Sequence, residues 1–391
     1  MSIKHWKTAP HPISGGIAVE RKVYIKNLDY VFLACVLGIL VMSGFVLSSA
    51  TLNVTSDPFF YVKRQVVWII LGIISAILVN LIDYNSLRNY AKFLYVFNIL
   101  ILLFVIAVGK QRSWIPIGPF LLQPSEFAKV IVIITFAKYL TDRQGKLNTL
   151  KDLIPCFIHV GIPMVLVMFG DLGTSLVFAA ILFGMLFVGG ANPKLLLYII
   201  FSAILIIVML LVAHFNFGLP LPLEEYQLMR LVVFLDPYND GANGQGAGYH
   251  IIQSQVAIGS GGLLGKGLYQ GSQVQLNFLP EHHTDFIFSV VGEELGFLGA
   301  CALLTLYFGL IYRGLNIASR AKDMFGTLLV AGVISMIFFH VLENVGMTVG
   351  LMPITGIPLP LFSYGGSSML ATMTAIGLVL NVNVRRQTIR F

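Results

Sequence analysis

Charged residues are scarce in this sequence. They make up 11% of its 391 residues while 57% are hydrophobic, whereas a soluble domain carries roughly 25% charged residues. This scarcity excludes an ordinary soluble globular protein, and no stretch is long and polar enough to form a second, soluble domain. Apolar runs of spanning length recur along the whole chain. The composition therefore predicts a polytopic membrane protein that contacts membrane lipids.

Cysteine is equally scarce. Cys35, Cys156 and Cys301 are isolated from one another, and each lies in an apolar segment. This spacing predicts neither a disulfide framework nor a metal site. A cleavable signal peptide is not expected either, because the polar, basic residues 1–27 precede an apolar run that starts late and is of full spanning length.

Hydropathy predicts an all-α, polytopic membrane protein with about ten transmembrane helices. A transmembrane domain of residues 28–384 lies between a tail of residues 1–27 and a tail of residues 385–391. One large extracytoplasmic loop, of about residues 216–283, separates helices 7 and 8. The expected spans are residues 28–50, 66–83, 90–109, 125–141, 153–169, 172–190, 194–214, 285–311, 324–345 and 364–384.

The basic residues orient these helices. With the N-terminus inside, 18 of the 25 Lys and Arg residues fall at cytoplasmic ends and loops, as the positive-inside rule requires. Both termini are therefore expected in the cytoplasm. The net charge of +7 is explained by this topology and by contact with anionic lipids. It therefore gives no reason to propose nucleic acid as a partner.

The other seven basic residues fall on the outer side or near the outer ends of spans. Basic residues are usually rare on the outer side of a membrane protein, so their position there indicates that they bind an anionic ligand. We predict that Arg112, Arg230 and Lys266 bind substrate phosphates, because arginine binds phosphate bidentately. The alternative is ordinary interfacial placement of long basic side chains. The phosphate interpretation is weaker for Lys63 and Arg64.

The segment 279–296 is the first candidate for chemistry. Asp285 begins the expected span 285–311, and Glu293 lies within it, about 12 Å deeper along a continuous helix. Carboxylates at a membrane segment are unfavourable and mark functional sites. Around a helix Glu293 is offset roughly 80° from Asp285 and Glu294 lies roughly opposite, so Glu293 could share a cavity with Asp285 more easily than Glu294 could. The alternative is that Asp285 merely caps the helix.

Other polar residues lie near predicted helix ends. His282 and His283 are either catalytic helpers or surface turn residues. Glu126 and Lys129 share one helix face and can pair, either to hold the bundle together or to take part in the chemistry. Asp171 follows a tight outer turn, and the expectation is that it caps span six rather than acts in catalysis.

Two further segments break the helical pattern on the outer side. Residues 344–368 form an apolar connection interrupted by three prolines, and irregular backbone at this depth must be buried in protein or line a cavity. Glu343 directly precedes it and is a further candidate. The glycine-rich segment 259–267 resembles a phosphate-binding loop only superficially, but an outer loop that binds a lipid-linked pyrophosphate is physically sensible.

Six motifs, spread along the chain, resemble those of the SEDS family (shape, elongation, division and sporulation). Their combination is highly specific, and it is more similar to the elongation branch of the family than to the division branch. The motifs are QPSEFAK at 123–129, DLGT at 171–174, GYHIIQS at 248–254, AIGSGG at 257–262, FLPEHHTDFIF at 278–288 and PLPLFSYGGS at 358–367.

The resemblance implies a peptidoglycan glycosyltransferase. Such enzymes use lipid II and transfer the growing undecaprenyl-pyrophosphate-linked glycan onto an acceptor sugar hydroxyl. They work at the outer face of the bacterial cytoplasmic (inner) membrane, for cell elongation and rod shape. The family's essential aspartate maps onto Asp285, and its ion pair maps onto Glu126 and Lys129. The implied partners are a class B penicillin-binding protein, a transpeptidase of the penicillin-binding protein 2 type, and the rest of the elongation machinery.

These residues suit that reaction chemically. Asp285 would accept the proton of the acceptor hydroxyl, while Arg112, Arg230 and Lys266 would stabilise the charge of the leaving pyrophosphate. No cofactor is certain: a divalent cation, Mg²⁺ or Mn²⁺, would serve the same purpose, but no motif demands one.

The competing function is a flippase, or transporter, of the lipid-linked cell-wall precursor. Ten spans, intramembrane carboxylates and broken helices favour it. The polar groups, however, cluster on the outer side rather than at the midplane, and this placement favours the polymerase.

Overall fold

The computed structural model describes residues 27–118, 120–220, 225–240, 242 and 244–386. Within these ranges the chain is helical apart from connecting turns and one two-stranded antiparallel hairpin. The all-α prediction is therefore confirmed. Most of the two predicted tails, residues 1–26 and 387–391, lies outside the described residues.

The helices and strands follow the expected order of spans. The ten longest described helices match the ten predicted spans. Along the described chain the elements are α1 (Tyr30–Ala50), α2 (Phe60–Leu81), α3 (Tyr84–Val108), β1 (Ile115–Ile117), β2 (Phe120–Leu122), α4 (Pro124–Thr141), α5 (Leu150–Met168), α6 (Leu172–Val188), α7 (Pro193–Phe217), α8 (Glu225–Leu235), α9 (Tyr249–Gly261), α10 (Ser272–Gln275), α11 (Ile287–Glu294), α12 (Gly296–Ser319), α13 (Met324–Val349) and α14 (Gly366–Val384).

Length and composition support these spans. In the part of the chain that the structure describes, eight helices are long and apolar enough to cross a membrane. Helix α6 is also apolar but has only 17 residues, and α4 carries three charged residues within its 18. Those charges in α4 become important at the candidate site.

The predicted eighth span, residues 285–311, is wrong in one respect: it is not a continuous helix. Helix α11 ends at Glu294, and α12 begins at Gly296, whose backbone φ is +65°. The glycine loop after α9 causes the break, because the amides of Lys266 and Gly267 bond to the carbonyl oxygens of Glu293 and Glu294. A side chain at Gly296 would collide with the backbone of this loop, so only glycine permits the close approach.

The last two long helices form the centre of the bundle. Buried residues make up 72% of the spanning window of α13 and 83% of that of α14, against 6% for α7. Helix α14 packs along α2, where Gly377 allows close contact with Ala76. Helix α13 packs along α6 and α12. The end of the bundle at which α14 begins is therefore enclosed by protein, and the candidate site lies there.

Candidate active site

A chamber of about 520 Å³ opens at the end of the bundle where α2, α4, α6 and α14 begin. The hairpin β1–β2 and the broken connection between α13 and α14 complete its walls, which confirms that this irregular segment lines a cavity. The polar and aromatic lining residues that matter below are Tyr61, Arg64, Trp68, Gln123, Asp171, Glu281, Asp285, Gly356, Tyr364, Gly366, Ser367 and Ser368.

Asp285 is presented to the chamber by a tight turn, residues 279–286, which we call the catalytic turn. The amides of Thr284, Asp285 and Phe286 all bond to the carbonyl oxygen of Glu281 at 3.1–3.2 Å. Glu281 itself has a φ of +49°, which is uncommon for a residue with a side chain. This compact backbone places the carboxyl groups of Glu281 and Asp285 in the same chamber.

The Asp285 carboxylate is free to react. The Asp285 side chain is half-buried, yet none of the described residues donates a hydrogen bond to its carboxylate oxygens. The N-cap of α11 is Phe286, and no side chain caps that helix. The helix-cap interpretation of Asp285 is therefore wrong, because its carboxylate faces the chamber instead of the first amides of α11.

The surroundings of Asp285 favour its protonated form. Burial is the main cause, and the nearby carboxylates of Glu281 and Asp171 add to it, while Arg230 opposes it. Together they raise the pKa of Asp285 to about 7. A carboxylate with a pKa near the working pH is an effective general base.

The predicted ion pair of Glu126 and Lys129 is present and buried. Lys129 Nζ lies 2.8 Å from Glu126 Oε1, and the two side chains are 1% and 3% exposed, respectively. Lys129 Nζ also lies 3.0 Å from His340 Nε2 on α13. Since an ammonium group only donates, His340 must accept at Nε2 and carry its proton on Nδ1, which faces the carbonyl oxygen of Pro358. This network ties α4 and α13 to the chamber wall.

Asp171 caps α6, as predicted. Its carboxylate accepts from the amide and hydroxyl of Thr174 at 2.9 and 2.6 Å. It also accepts a hydrogen bond from the side-chain Nε2 of Gln123 at 3.2 Å. The backbone amide of Gln123 donates to Ser367 Oγ at 3.0 Å. The beginnings of α4, α6 and α14 are thereby joined along one wall of the chamber.

The three basic residues predicted to bind phosphate do not line the chamber. Arg112 lies at the hairpin base beside Ser113 and Ser125, and Arg230 donates to the carbonyl oxygen of Thr355, next to the chamber, at 3.4 Å. Among the described basic residues, the chamber wall contains Arg64. Its guanidinium lies 4.3 Å from the centre of the Phe60 ring and 5.6 Å from that of Phe120.

Lys266 and Glu293 form a second, separate pair. Lys266 Nζ lies 2.7 Å from Glu293 Oε1, and this oxygen also accepts from Ser272 and from the amide of Gln273. Glu293 is fully buried and is not part of the chamber lining. Glu293 does not share a cavity with Asp285, because Asp285 lies in the turn before α11 and faces the chamber, whereas Glu293, near the end of α11, pairs with Lys266 of the glycine loop.

The remaining candidates are held by structural contacts. His282 is buried, and both ring nitrogens face carbonyl oxygens, those of Leu279 and Ala50. His283 is half-buried against the ring of Tyr61, and burial lowers its pKa to about 4. Both residues belong to the catalytic turn, but His282 is not at the surface. Neither lines the chamber. Glu343 is buried in α13 and is also absent from the lining.

Sequence reasoning missed part of the chamber. Phe60, Tyr61 and Trp68 line it from the first turns of α2, together with Arg64, for which phosphate binding was the weaker prediction. Their spacing of one, four and eight residues places them on one helix face, and this mixture of rings and one cation was the available signal. Glu281 was also missed as a member of the site, because nothing in the sequence indicates that a turn folds it back beside Asp285.

The described residues do not form a multidentate metal site. Among the described residues, no group of three or more His, Cys, Asp or Glu side chains lies close enough together to hold a metal ion. The free Asp285 carboxylate and its neighbour Glu281 remain suitable oxygen donors for a divalent cation that arrives bound to a pyrophosphate.

The chain is similar to proteins of one family along nearly its full length. The sequence profile of the FtsW/RodA/SpoVE cell cycle proteins matches residues 26–388. The peptidoglycan glycosyltransferase MrdB of Escherichia coli K12 is 37% identical over 369 residues, which cover 92% of this chain and 95% of MrdB.

Two solved structures share the fold. A chain of a peptidoglycan synthase complex that coordinates polymerization and crosslinking has a TM-score of 0.75 and 31% identity, over 91% of this chain and 97% of that one. The rod shape determining protein RodA of Thermus thermophilus has a TM-score of 0.67 and 30% identity, over 92% and 98%. The chain therefore belongs to the FtsW/RodA/SpoVE family and is of its RodA type.

Proposed function

We propose that this chain is a peptidoglycan glycosyltransferase that polymerises glycan strands for cell elongation, with lipid II as its substrate and the chamber as its active site. The similar protein MrdB of Escherichia coli is named a peptidoglycan glycosyltransferase, and one of the two similar structures comes from a peptidoglycan synthase complex. One observation in the chain itself carries the proposal: Asp285 places a carboxylate that receives no hydrogen bond from the described residues, with a pKa of about 7, in a chamber large enough for sugar rings.

The reaction follows from the placement of Asp285. The hydroxyl oxygen of the acceptor sugar attacks the anomeric carbon of the growing glycan, and Asp285 takes the proton of that hydroxyl. The bond between the anomeric carbon and the pyrophosphate oxygen breaks, and undecaprenyl pyrophosphate leaves with the bonding electrons. Asp285 then returns its proton to solvent, which the open chamber admits.

We assign the stabilisation of the leaving pyrophosphate to Arg64 and the beginning of α14. Arg64 is fixed by the Phe60 and Phe120 rings at the chamber wall, and a planar guanidinium binds phosphate bidentately. Gly366, Ser367 and Ser368, in the first turn of α14, line the same chamber, where helix amides and the helix dipole favour an anion. A divalent cation bound to the pyrophosphate would add positive charge there.

The test of this assignment compares neighbouring cations. Arg64→Ala should raise the KM for lipid II and lower kcat, because both the ground state and the leaving group lose charge stabilisation. Lys63→Ala is the matched control, since Lys63 is exposed and pairs with Asp57 outside the chamber lining. Equal effects of the two substitutions would contradict the assignment.

The partner we propose is a class B penicillin-binding protein with one membrane helix. A groove of about 340 Å³ lies between α12 and α13, and its walls are almost entirely apolar. A single transmembrane helix fits such a concave, lipid-facing surface better than lipid tails do, because packed side chains fill it. Polar substitution of Phe308 and Phe338, which line the groove, should abolish co-purification with the transpeptidase, while the same change at Phe201 on α7 should not.

The chamber belongs on the outer face of the cytoplasmic membrane in this proposal, with both termini inside. Cysteine introduced at the exposed residue Asn239 should react with an impermeant reagent in intact cells, and cysteine at Lys151 should react only after permeabilisation. The native Cys35 and Cys156 are buried and give little background. The reverse labelling pattern would overturn the orientation.

Polymerisation and transport are separated by one comparison. The wild-type chain with its transpeptidase partner should convert lipid II into a ladder of glycan strands in detergent, where sidedness is lost and a flippase has nothing to do. A well-folded complex that makes no polymer, yet moves labelled lipid II across proteoliposome membranes, would favour the transporter instead.

A further inference from the structure

The main chain of the catalytic turn around Asp285 is hydrogen-bonded on two sides. Inside the turn, the amides of Thr284, Asp285 and Phe286 bond to the Glu281 carbonyl oxygen. Its carbonyl oxygens point the other way, and those of three successive residues each accept a bond from elsewhere in the fold: His283 from the Tyr364 amide at 3.0 Å, Thr284 from Ser363 Oγ at 2.6 Å, and Asp285 from Asn344 Nδ2 at 2.8 Å.

Two of these three donors are side chains that bridge the catalytic turn and the chamber wall. Asn344 Nδ2 donates a second bond, to the Ile357 carbonyl oxygen at 2.8 Å. Ser363 Oγ accepts from the Leu359 amide at 2.8 Å. Both side chains are buried, at 0% and 5% exposure. Both partners of Asn344 Nδ2 are acceptors, so the amide orientation is fixed by chemistry.

Gly356 directly precedes Ile357, whose carbonyl oxygen Asn344 binds. The Asp285 carboxylate lies against Gly356. The backbone position of Asp285 and the shape of its pocket are therefore set by the same two side chains. A reacting group held this way needs no reorganisation when substrate arrives, and a shift of about 1 Å in a base can lower a rate by roughly 100-fold.

We infer that Asn344 and Ser363 are positioning residues for the glycosyl-transfer reaction, which act by clamping the catalytic turn to the chamber wall so that the Asp285 carboxylate stays aimed into the chamber. Neither side chain lines the chamber, so neither contacts substrate there. This inference rests on the proposed function for its kinetic consequences, although the clamp itself is a property of the fold.

The clamp predicts a specific pattern in steady-state kinetics. Asn344→Leu and Ser363→Ala should each lower kcat by about 10- to 100-fold and leave the KM for lipid II within about twofold, since binding groups are untouched. The acid side of the pH–rate profile should also move to lower pH, because a freed Asp285 becomes better solvated. The charged groups that face Asp285, which are Glu281, Asp171 and Arg230, are unchanged by either substitution.

Ser43→Ala is the matched control. Ser43 Oγ donates to the carbonyl oxygen of Phe362, in the connection between α13 and α14, at 2.6 Å. Like Ser363→Ala, this variant loses a buried serine hydrogen bond to that connection, but it loses none to the catalytic turn. It should lower the melting midpoint about as much as Ser363→Ala does, with kcat and the pH profile of the wild type.

Amide hydrogen exchange of residues 280–288 tests the clamp without any substrate. Exchange there should be faster than wild type in Asn344→Leu and Ser363→Ala, and unchanged in Ser43→Ala. The clamp is overturned if both variants keep wild-type exchange and wild-type kcat, or if Ser43→Ala loses as much kcat as Ser363→Ala. A wild-type protein without polymerase activity would refute the proposed function alone, because the exchange comparison still decides the clamp.

Discussion

Gly356 lies against the carboxylate of Asp285. A Cβ atom at Gly356 would be 3.2 Å from Asp285 Oδ2, and the backbone φ of Gly356 is +75°. The glycine therefore meets two requirements at once, a left-handed backbone and space for the base.

Gly356→Ala should reduce kcat by about tenfold or more, because the new methyl group displaces the Asp285 carboxylate. An alanine at this positive φ also strains the backbone, by about 1–2 kcal/mol. The effect of this strain on kcat must be distinguished from the effect of the methyl group on Asp285. Gly145→Ala provides the separation, since Gly145 has a φ of +78° and nothing within 4 Å of its Cβ position. If the two variants have the same kcat, the contact with Asp285 has no catalytic importance.

The pKa of Asp285 sets the acid side of the pH–rate profile. A carboxyl group is a base only when deprotonated, so kcat/KM should fall by about tenfold per pH unit below the Asp285 pKa, which is about 7. The sign is that of a raised carboxyl pKa: activity is lost as the pH falls.

Glu281→Gln should move this limb to lower pH, because the charge of Glu281 is one cause of the raised Asp285 pKa. Glu281 accepts a hydrogen bond from the Thr284 hydroxyl at 3.0 Å, and the side-chain oxygen of glutamine can accept the same bond. Asp57→Asn removes a carboxylate outside the chamber lining and should leave the profile in place. A limb that stays near 7 in Glu281→Gln would show that Glu281 does not act on Asp285.

The buried pair of Glu126 and Lys129 should contribute strongly to stability. Lys129→Met leaves the Glu126 carboxylate buried without its partner, a change expected to destabilise the fold by about 3–5 kcal/mol. The melting midpoint in detergent measures this loss. Replacing both residues, Glu126→Gln with Lys129→Met, should recover much of it, since no buried charge is left. A midpoint for Lys129→Met equal to that of the exposed-site variant Lys63→Met would contradict this account.

Lys266 and Glu293 should behave as one structural unit. They connect the glycine loop after α9 to α11 through a contact of 2.7 Å, so Lys266→Met and Glu293→Gln should both lower the melting midpoint without changing the KM for lipid II. Lys266→Met should lower it more, because it leaves the Glu293 carboxylate buried without its partner. A raised KM in Lys266→Met alone would instead support a phosphate contact for Lys266.

The spans and the central aspartate could be predicted from the sequence because their signals are local. Hydropathy fixes the helices, and the spacing of Glu126 and Lys129 fixes their common face. The break at Gly296 could not be predicted, because it depends on the backbone of a loop some thirty residues earlier that packs against it. The position of Glu293 could not be predicted either, because its partner Lys266 lies in that same loop, 27 residues earlier in the chain.

The polar contacts of the site were the least predictable part. A sequence shows that Arg64, Arg112 and Lys266 are basic, but only the fold decides that Arg64 lines the chamber while Lys266 pairs with Glu293. Asn344 and Ser363 gave no signal either, since their contacts to the catalytic turn span 59 and 79 residues of chain.

Asp285→Asn tests the central claim most directly. Asparagine keeps the size of the side chain but cannot accept the hydroxyl proton, so the variant, purified with its transpeptidase partner, should fold, bind lipid II with wild-type affinity and make no glycan ladder in detergent. Asp57→Asn, handled identically, should make the wild-type ladder. An Asp285→Asn protein with near-normal polymer output would contradict the account, because the base would then have to be another group.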